Sequence, residues 1–312
     1  MRILFAGSPS IAVPALEAIC KEKGIELAGV LTNPDSSKGR SSRPEPTEVG
    51  AAAEKILGQS VPILKPGQLR AQAREQIAAL KPELLVSFAY GRIFGPKFLD
   101  MFPLGGINIH PSLLPKYRGP TPIPAAILNR DTETGISIQK LALEMDSGDI
   151  LAQERVQLTG RETTASLGRI MAQKAPELLP IVLKDIAEGR ARAQPQNHSE
   201  ASYCSLISGE DGLIDWSKSA VEIDARIRAF DPWPLCWTLH EGRRLYILKA
   251  AALESETNTP GLVAGIDKNR GILIQTGEGV LAVTELQYQA RKVLEWRAFM
   301  NGARNFTGSR LG

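Results

Sequence analysis

Cysteine is scarce in this chain: Cys20, Cys204 and Cys236 are odd in number, far apart and free of Cys-x-x-Cys spacing. That excludes a disulfide framework and a thiolate metal site, and it fits small core residues in a reducing cytoplasm. Histidine is equally rare, with only His110, His198 and His240, none at metal-ligand spacing. No apolar run reaches membrane-spanning length, and Met1-Arg-Ile-Leu-Phe5 opens into a strand rather than a signal peptide. Net charge is only +3, so overall charge carries no argument for nucleic acid. Two glycine fingerprints are missing as well. The turn at Gly7 lacks the G-x-G-x-x-G of a dinucleotide fold and the G-K-[ST] of a P-loop, which excludes nicotinamide and nucleoside-triphosphate binding. There is no internal repeat and no low-complexity run.

What is present is a globular composition, 43% hydrophobic and 23% charged over 312 residues, long enough for two domains. Ile3–Ala6, an apolar helix to Cys20 and Glu26–Thr32 read as a βαβ start. Helices over 47–56 and 70–80, a short strand over 61–64 and the apolar strand Glu83–Tyr90 extend it. The fold class is therefore α/β, with a Rossmann-like, open and mostly parallel sheet flanked by helices. Phe88 to Gly91 close a central strand at the edge where ligands bind, and the aromatics there either wall a pocket or fill core. Strands over 135–141 and 150–158 flank the Asp146 loop, and a long helix follows over 163–186, with Thr163 or Thr164 as N-cap. From Gly189 the chain turns polar and aperiodic. The expected organisation is a catalytic domain over 1–189, a linker over 190–207 and a second domain over 208–312. In the second domain a helix over 218–230 leads into Asp231-Pro-Trp-Pro234. Five short strands between Cys236 and Leu286 and a helix over 294–301 then suggest a small, OB-like β-barrel.

One stretch stands out. In Gly106-Ile-Asn-Ile-His110, Ile107 and Ile109 alternate with Asn108 and His110, so an amide and an imidazole share one face of a strand. Pro111 ends the ladder, leaving both at its carboxyl end. Asp146, in a loop with Gly148, is the candidate third member. A strand-end histidine reads equally as a hydrogen-bonded structural residue or as a catalyst. The loop that follows, Ser112 to Pro122, carries Lys116, Tyr117 and Arg118 among prolines, like a rigid binding loop. Ser112 lies too close to His110 for a nucleophile and fits a turn. Two basic clusters remain. Asn33 to Pro46 holds Lys38, Arg40 and Arg43, either a solvated loop or an arm for phosphates. Beyond Leu286, Arg291, Lys292, Arg297, Arg304 and Arg310 face only Glu295, either a solvated tail or a basic patch.

Asn108-Ile-His110, Ser112-Leu-Leu-Pro-Lys-Tyr-Arg-Gly119 and Asp146-Ser-Gly-Asp149 resemble the signature of the N10-formyltetrahydrofolate-dependent formyltransferases. Phe5-Ala-Gly-Ser-Pro9, Ala89-Tyr-Gly91, Arg228-Ala-Phe-Asp-Pro-Trp-Pro234 and the barrel pattern are similar to the members acting on initiator tRNA. The chain departs from the pattern at Gly119-Pro-Thr-Pro122, where Gly-Ala-Ala-Pro is expected, and in a shorter, less basic 33–46 loop. The resemblance implies formyl transfer from N10-formyltetrahydrofolate to methionyl-initiator tRNA, in a cytoplasmic monomer without metal or membrane association. It implies Asn108, His110 and Asp146 as catalytic. A folate cleft would be lined by Phe88, Ala89, Tyr90, Gly91, Ser112, Leu113, Leu114, Pro115, Leu143 and Glu144. The tRNA would meet Lys38, Arg40, Arg43, Lys116, Arg118, Arg291, Lys292 and Arg304, with Lys116 and Arg118 alternatively bracing their own loop. The competing functions are a formyltransferase acting on a sugar-nucleotide amine, a folate hydrolase, and a non-catalytic folate-binding protein.

Overall fold

The computed structural model describes residues 1–37, 43–256, 259–303 and 305–312. Contacts divide the chain into two compact units. The first comprises 1–122, 133–157 and 168–205; the second comprises 123–132, 158–167 and 206–312.

β1 (Arg2–Gly7), α1 (Val13–Lys21) and β2 (Glu26–Leu31) form the expected βαβ start. A two-residue pair, β3 (Ser36–Ser37) with β4 (Pro44–Glu45), flanks positions 38–42, so Lys38 and Arg40 lie outside the described residues. α2 (Glu48–Leu57) starts where Thr47 Oγ1 accepts the Gly50 N–H at 3.0 Å, satisfying one orphan donor of the first turn. β5 (Ile63–Leu64), α3 (Ala71–Ala79), β6 (Leu84–Phe88), α4 (Pro96–Leu99) and β7 (Gly106–His110) follow. Then come α5 (Pro122–Leu128), β8 (Glu133–Lys140), β9 (Ile150–Gln157) and α6 (Thr164–Ala187). Thr163 caps α6 by accepting the Ser166 N–H at 3.2 Å.

The sheet runs β5-β2-β1-β6-β7-β8-β9. It is parallel as far as β7, after which β8 and β9 continue it antiparallel. β6 is buried along its whole length, as its continuous apolar sequence requires. Beyond it Tyr90, Phe94, Phe98 and Phe102 stack in series at ring-centroid distances of 5.4, 5.2 and 5.5 Å. The aromatics at this strand end therefore fill core.

Residues 190–205, expected as most of a linker, belong to the first unit. Gln194 and Ile150 exchange both backbone hydrogen bonds at 2.8 Å, so the segment adds itself to the exposed edge of β9. Its polar, aperiodic sequence reads as solvated chain, yet the polar groups are spent on protein partners.

In the second unit, Ser219 and Glu222 form a capping box at the start of α7 (Ala220–Ala229). β10 (Cys236–His240), β11 (Arg243–Leu253), β12 (Val263–Asp267), β13 (Gly271–Gln275) and β14 (Val280–Tyr288) pair antiparallel in the order β10-β11-β14-β13-β12. β15 (Leu294–Glu295) pairs with β14 and leads into α8 (Trp296–Gly302). The C-terminal residues bridge the two ends of this path. Val263 N–H reaches Ser309 O and Leu311 N–H reaches Gly261 O on one side, while Gly312 N–H reaches Leu239 O on the other. Barrel-like closure is thus completed by a tail rather than by a sixth long strand. Among the described residues no helix is long and apolar enough to cross a membrane.

His240 is buried against Phe306, with Nδ1 2.6 Å from Tyr288 Oη and, among the described residues, no partner for Nε2. Burial pushes its pKa below the ordinary range; Glu241 partly opposes this and Arg243 reinforces it. The unfolded chain therefore takes up the proton first as pH falls. The stabilisation is complete above the ordinary histidine pKa of about 6.5 and is lost on acidification toward the folded value. His240→Phe is expected to show a smaller drop in Tm between about pH 7 and pH 5 than the unmodified chain. Parallel Tm-against-pH curves would remove His240 as the cause.

Candidate active site

β7 and β8 build the site together. In their antiparallel register Asn108 lies opposite Gln139 and His110 opposite Ser137, so four polar side chains share the face that the alternating isoleucines leave. Because β8 runs antiparallel, its loop leaves from beside Gly106, where the Leu141 N–H bonds the Gly106 carbonyl. Residues 141–149 then fold back along that face until Asp146 reaches the far end of β7. Gly148 permits the return, since a Cβ there would sit 1.9 Å from the Lys140 carbonyl oxygen.

The carboxylate of Asp146 is where the side chains converge. Its Oδ1 accepts from Gln139 Nε2 at 2.9 Å and from Asn108 Nδ2 at 3.4 Å, and it lies 3.6 Å from His110 Nδ1. Its Oδ2 accepts the Gly119 N–H at 2.8 Å. Gly119 has φ +114, and a Cβ on it would meet the Cys204 carbonyl oxygen at 2.2 Å. The Asp146 side chain is 12% exposed and that of His110 5%, so any charge here is strongly felt. Asn108 and His110 therefore do face one way, with the carboxylate in reach of both.

The tautomer of His110 follows from its other neighbour. Nε2 lies 2.8 Å from the Tyr117 carbonyl oxygen, which can only accept, so Nε2 carries a hydrogen. Nδ1 is then the nitrogen turned to Asp146 and to whatever occupies the site. At 3.6 Å it is beyond a direct hydrogen bond, which leaves it poised rather than engaged. The ring is thus oriented by the Tyr117 carbonyl, not by Asp146 alone. Tyr117 holds φ +59, with its own N–H given to Ser202 Oγ at 2.9 Å. Ala89 (φ +50) and Asp146 (φ +52) share that left-handed conformation. Such residues cost about 1–3 kcal/mol each and persist where the surroundings over-determine them.

Several expected contacts are corrected. Arg118 is 1% exposed, so its guanidinium is not a surface for phosphates; it braces the loop from within through Gln196, Tyr203 and His198. Phe88, Tyr90, Ser112 and Leu114 have buried side chains, whereas Ala89, Gly91, Leu143 and Glu144 are exposed and Leu113 and Pro115 half-buried. Ser112 closes a turn, its Oγ donating to Lys116 O at 2.6 Å. In the divergent Gly119–Pro122 run, Thr121 Oγ1 ties the loop to Ser205 O at 2.7 Å. Arg43, Lys116, Arg291 and Lys292 are exposed, whereas Arg304 lies outside the described residues. Exposed Leu143 and Met145 beside Asp146 offer apolar surface of the kind a flat heterocycle stacks on.

Cys204 lies beside the site, but it is held as a thiol. Burial raises its pKa, bonds from Thr121 oppose this, and the charge of Asp146 adds to it. Among the described residues no group of three His, Cys, Asp or Glu could hold a metal ion.

Gln139 went unrecognised in the sequence although a signal was present. Ile136-Ser-Ile-Gln139 repeats the alternation of Ile107-Asn-Ile-His110, and pairing the two strands aligns their polar positions.

The chain is similar to known proteins along its whole length. The family model described as "Formyl transferase" matches residues 1–183, and that described as "Formyl transferase, C-terminal domain" matches 206–304. The methionyl-tRNA formyltransferase of Treponema denticola is 50% identical over 317 residues, covering 98% of each chain. Among solved structures, WlaRD, a sugar 3N-formyl transferase, superposes with a TM-score of 0.66 at 19% identity over 94% of this chain and 99% of that one. HypX from Aquifex aeolicus, in complex with tetrahydrofolic acid, gives 0.63 at 17% identity over 98% of this chain and 48% of that one. At those identities the two structures bear on the fold alone. The full-length match to a protein half identical in sequence, with both domain models in order, shows that the chain belongs to the formyltransferase family.

Proposed function

We propose that this chain transfers the formyl group of N10-formyltetrahydrofolate to the α-amino group of methionyl-initiator tRNA, acting in the cytoplasm as a monomer. The chemistry is supported by the convergence of Asn108, His110 and Gln139 on the Asp146 carboxylate. The choice of acceptor is supported by the relative named for methionyl-tRNA, which matches 98% of the chain, against the far more distant sugar enzyme. The folate donor is supported by the family, by the tetrahydrofolate in the HypX structure and by the apolar rim at Leu143 and Met145.

In this reading Asp146 Oδ1 takes a proton from the amine as the amine nitrogen bonds the formyl carbon. Asn108 Nδ2–H and a protonated His110 Nδ1–H donate to the oxygen that becomes negative. One such preorganised donor is worth roughly 3–4 kcal/mol of barrier. His110 then gives its Nδ1 proton to the departing folate nitrogen as the old carbon–nitrogen bond breaks. Asp146, at 3.6 Å, returns a proton to the imidazole. One proton passes from amine to leaving nitrogen and the protein ends as it began. No side chain forms a covalent bond.

Labelled donor offered to methionyl-tRNA and, separately, to a dTDP-linked amino sugar tests the proposal. Label in the tRNA fraction is expected. Label in the sugar, or free formate without acceptor, would replace it with one of the competing functions. Lys116, Arg291 and Lys292 are proposed to meet tRNA phosphates. Arg291→Gln with Lys292→Gln is expected to weaken tRNA binding and to lower the slope of log K against log salt by roughly 1–2. An unchanged slope would move the tRNA surface elsewhere.

A further inference from the structure

The Asp146 backbone and the side chain of Gln139 are both held by a residue on none of the strands. Gln196, in the 190–205 segment, is 6% exposed. Its Nε2 donates to Gly148 O at 2.7 Å and to Asp146 O at 2.9 Å, and lies 3.3 Å from Gln139 Oε1. Its Oε1 accepts from Arg118 Nε at 3.1 Å and from Nη2 at 2.8 Å. The amide can sit only one way round: carbonyl oxygens never donate and a guanidinium never accepts. Arg118 is held in turn by Tyr203 Oη at 3.2 Å and by His198 Nδ1 at 3.0 Å. Gln196, Tyr203 and His198 each hold this buried cation through a neutral acceptor.

We infer that Gln196 is a positioning residue for the reaction, setting the place of the Asp146 carboxylate relative to His110. The inference rests on the formyl-transfer reading above. One end of its amide pins the Asp146 backbone and the side chain of Gln139, which donates to Asp146 Oδ1. The other end is anchored to Arg118, whose neighbouring residues Tyr117 and Gly119 supply the carbonyl for His110 and the N–H for Asp146 Oδ2. A single side chain thus ties together both halves of the acid–base pair. Asp146 holds φ +52, a conformation that lasts only while its surroundings enforce it. Loss of the Gln196 donors would let the 141–149 loop relax, and a displacement of about 1 Å in such a site can cost ~10²-fold in rate.

The test uses the full chain with Gln196→Glu and Gln196→Ala, assayed for formyl transfer beside the unmodified enzyme. Glutamate keeps the volume and still accepts from Arg118 but has no N–H to offer. For Gln196→Glu, kcat is expected to fall ~10–10²-fold while KM for each substrate moves less than about 3-fold. The pH profile of kcat is expected to shift, because carboxylate and imidazole lose their fixed spacing. Combined with Gln139→Ala, the loss should be smaller than the product of the single losses, since both residues act through one carboxylate. Unchanged kcat and a superimposable pH profile, whatever the Tm, would overturn the inference, as would multiplicative losses. Failure of both Gln196 variants to fold would assign the residue a purely structural part and overturn it too. An unmodified enzyme that formylates no amine would sink the underlying reading, whereas active enzyme with unimpaired variants sinks only the role of Gln196.

Discussion

Asp146→Asn is expected to lower kcat for formyl transfer at least ~10²-fold while the protein still folds. Asparagine is the informative replacement because it tolerates the left-handed backbone that Asp146 adopts, φ +52, where alanine would add strain of its own. It cannot take up the amine proton, and general-base assistance is worth about 10²–10⁴-fold. Some stability is lost as well. Gln139 Nε2 donates to one carboxylate oxygen and Gly119 N to the other, so either orientation of the new amide sets a donor against a donor. That costs about 1–3 kcal/mol and lowers Tm without abolishing the transition. Rate and melting curve measured on one preparation separate the two effects, and near-full kcat would remove Asp146 from the chemistry.

His110→Ala is the second large effect, again at least ~10²-fold in kcat. The imidazole both donates to the developing oxyanion and returns a proton to the leaving nitrogen, so its loss acts on two steps. The Tyr117 carbonyl would also lose its imidazole donor, keeping the longer contact from Cys204 Sγ at 3.7 Å, and that too costs stability. Near-full kcat in His110→Ala would remove the imidazole from the chemistry.

Much of this site could be read from residues alone, and the reasons are physical. A period of two between isoleucines fixes which side chains share a face, so Asn108 and His110 were legible from five residues. Asp146 was legible only as a candidate, because its place depends on a nine-residue loop that folds back from the opposite edge of the sheet. Gln139 needed the antiparallel register of β7 with β8, which no local pattern encodes. Arg118 illustrates a different obstacle: an arginine between a tyrosine and a glycine looks the same whether it faces solvent or a buried glutamine. The 190–205 segment was misread for the opposite reason. Polar, aperiodic chain is ordinarily solvated, and only the three-dimensional partners of Gln194 and Gln196 show that its polar groups complete the first unit. In the second unit, short strands with Gly turns suggested a small β-barrel, but closure by residues 308–312 depends on where a tail lies.

In the proposed mechanism the Tyr117 carbonyl and the Asp146 carboxylate divide the two nitrogens of His110 between them. Nitrogen-15 NMR of histidine-labelled protein reads this directly, and with only three histidines each signal can be assigned by replacing one residue at a time. The expected result is a neutral His110 ring whose hydrogen sits on Nε2, with the lone pair on Nδ1. A neutral His110 ring carrying its hydrogen on Nδ1 would contradict it.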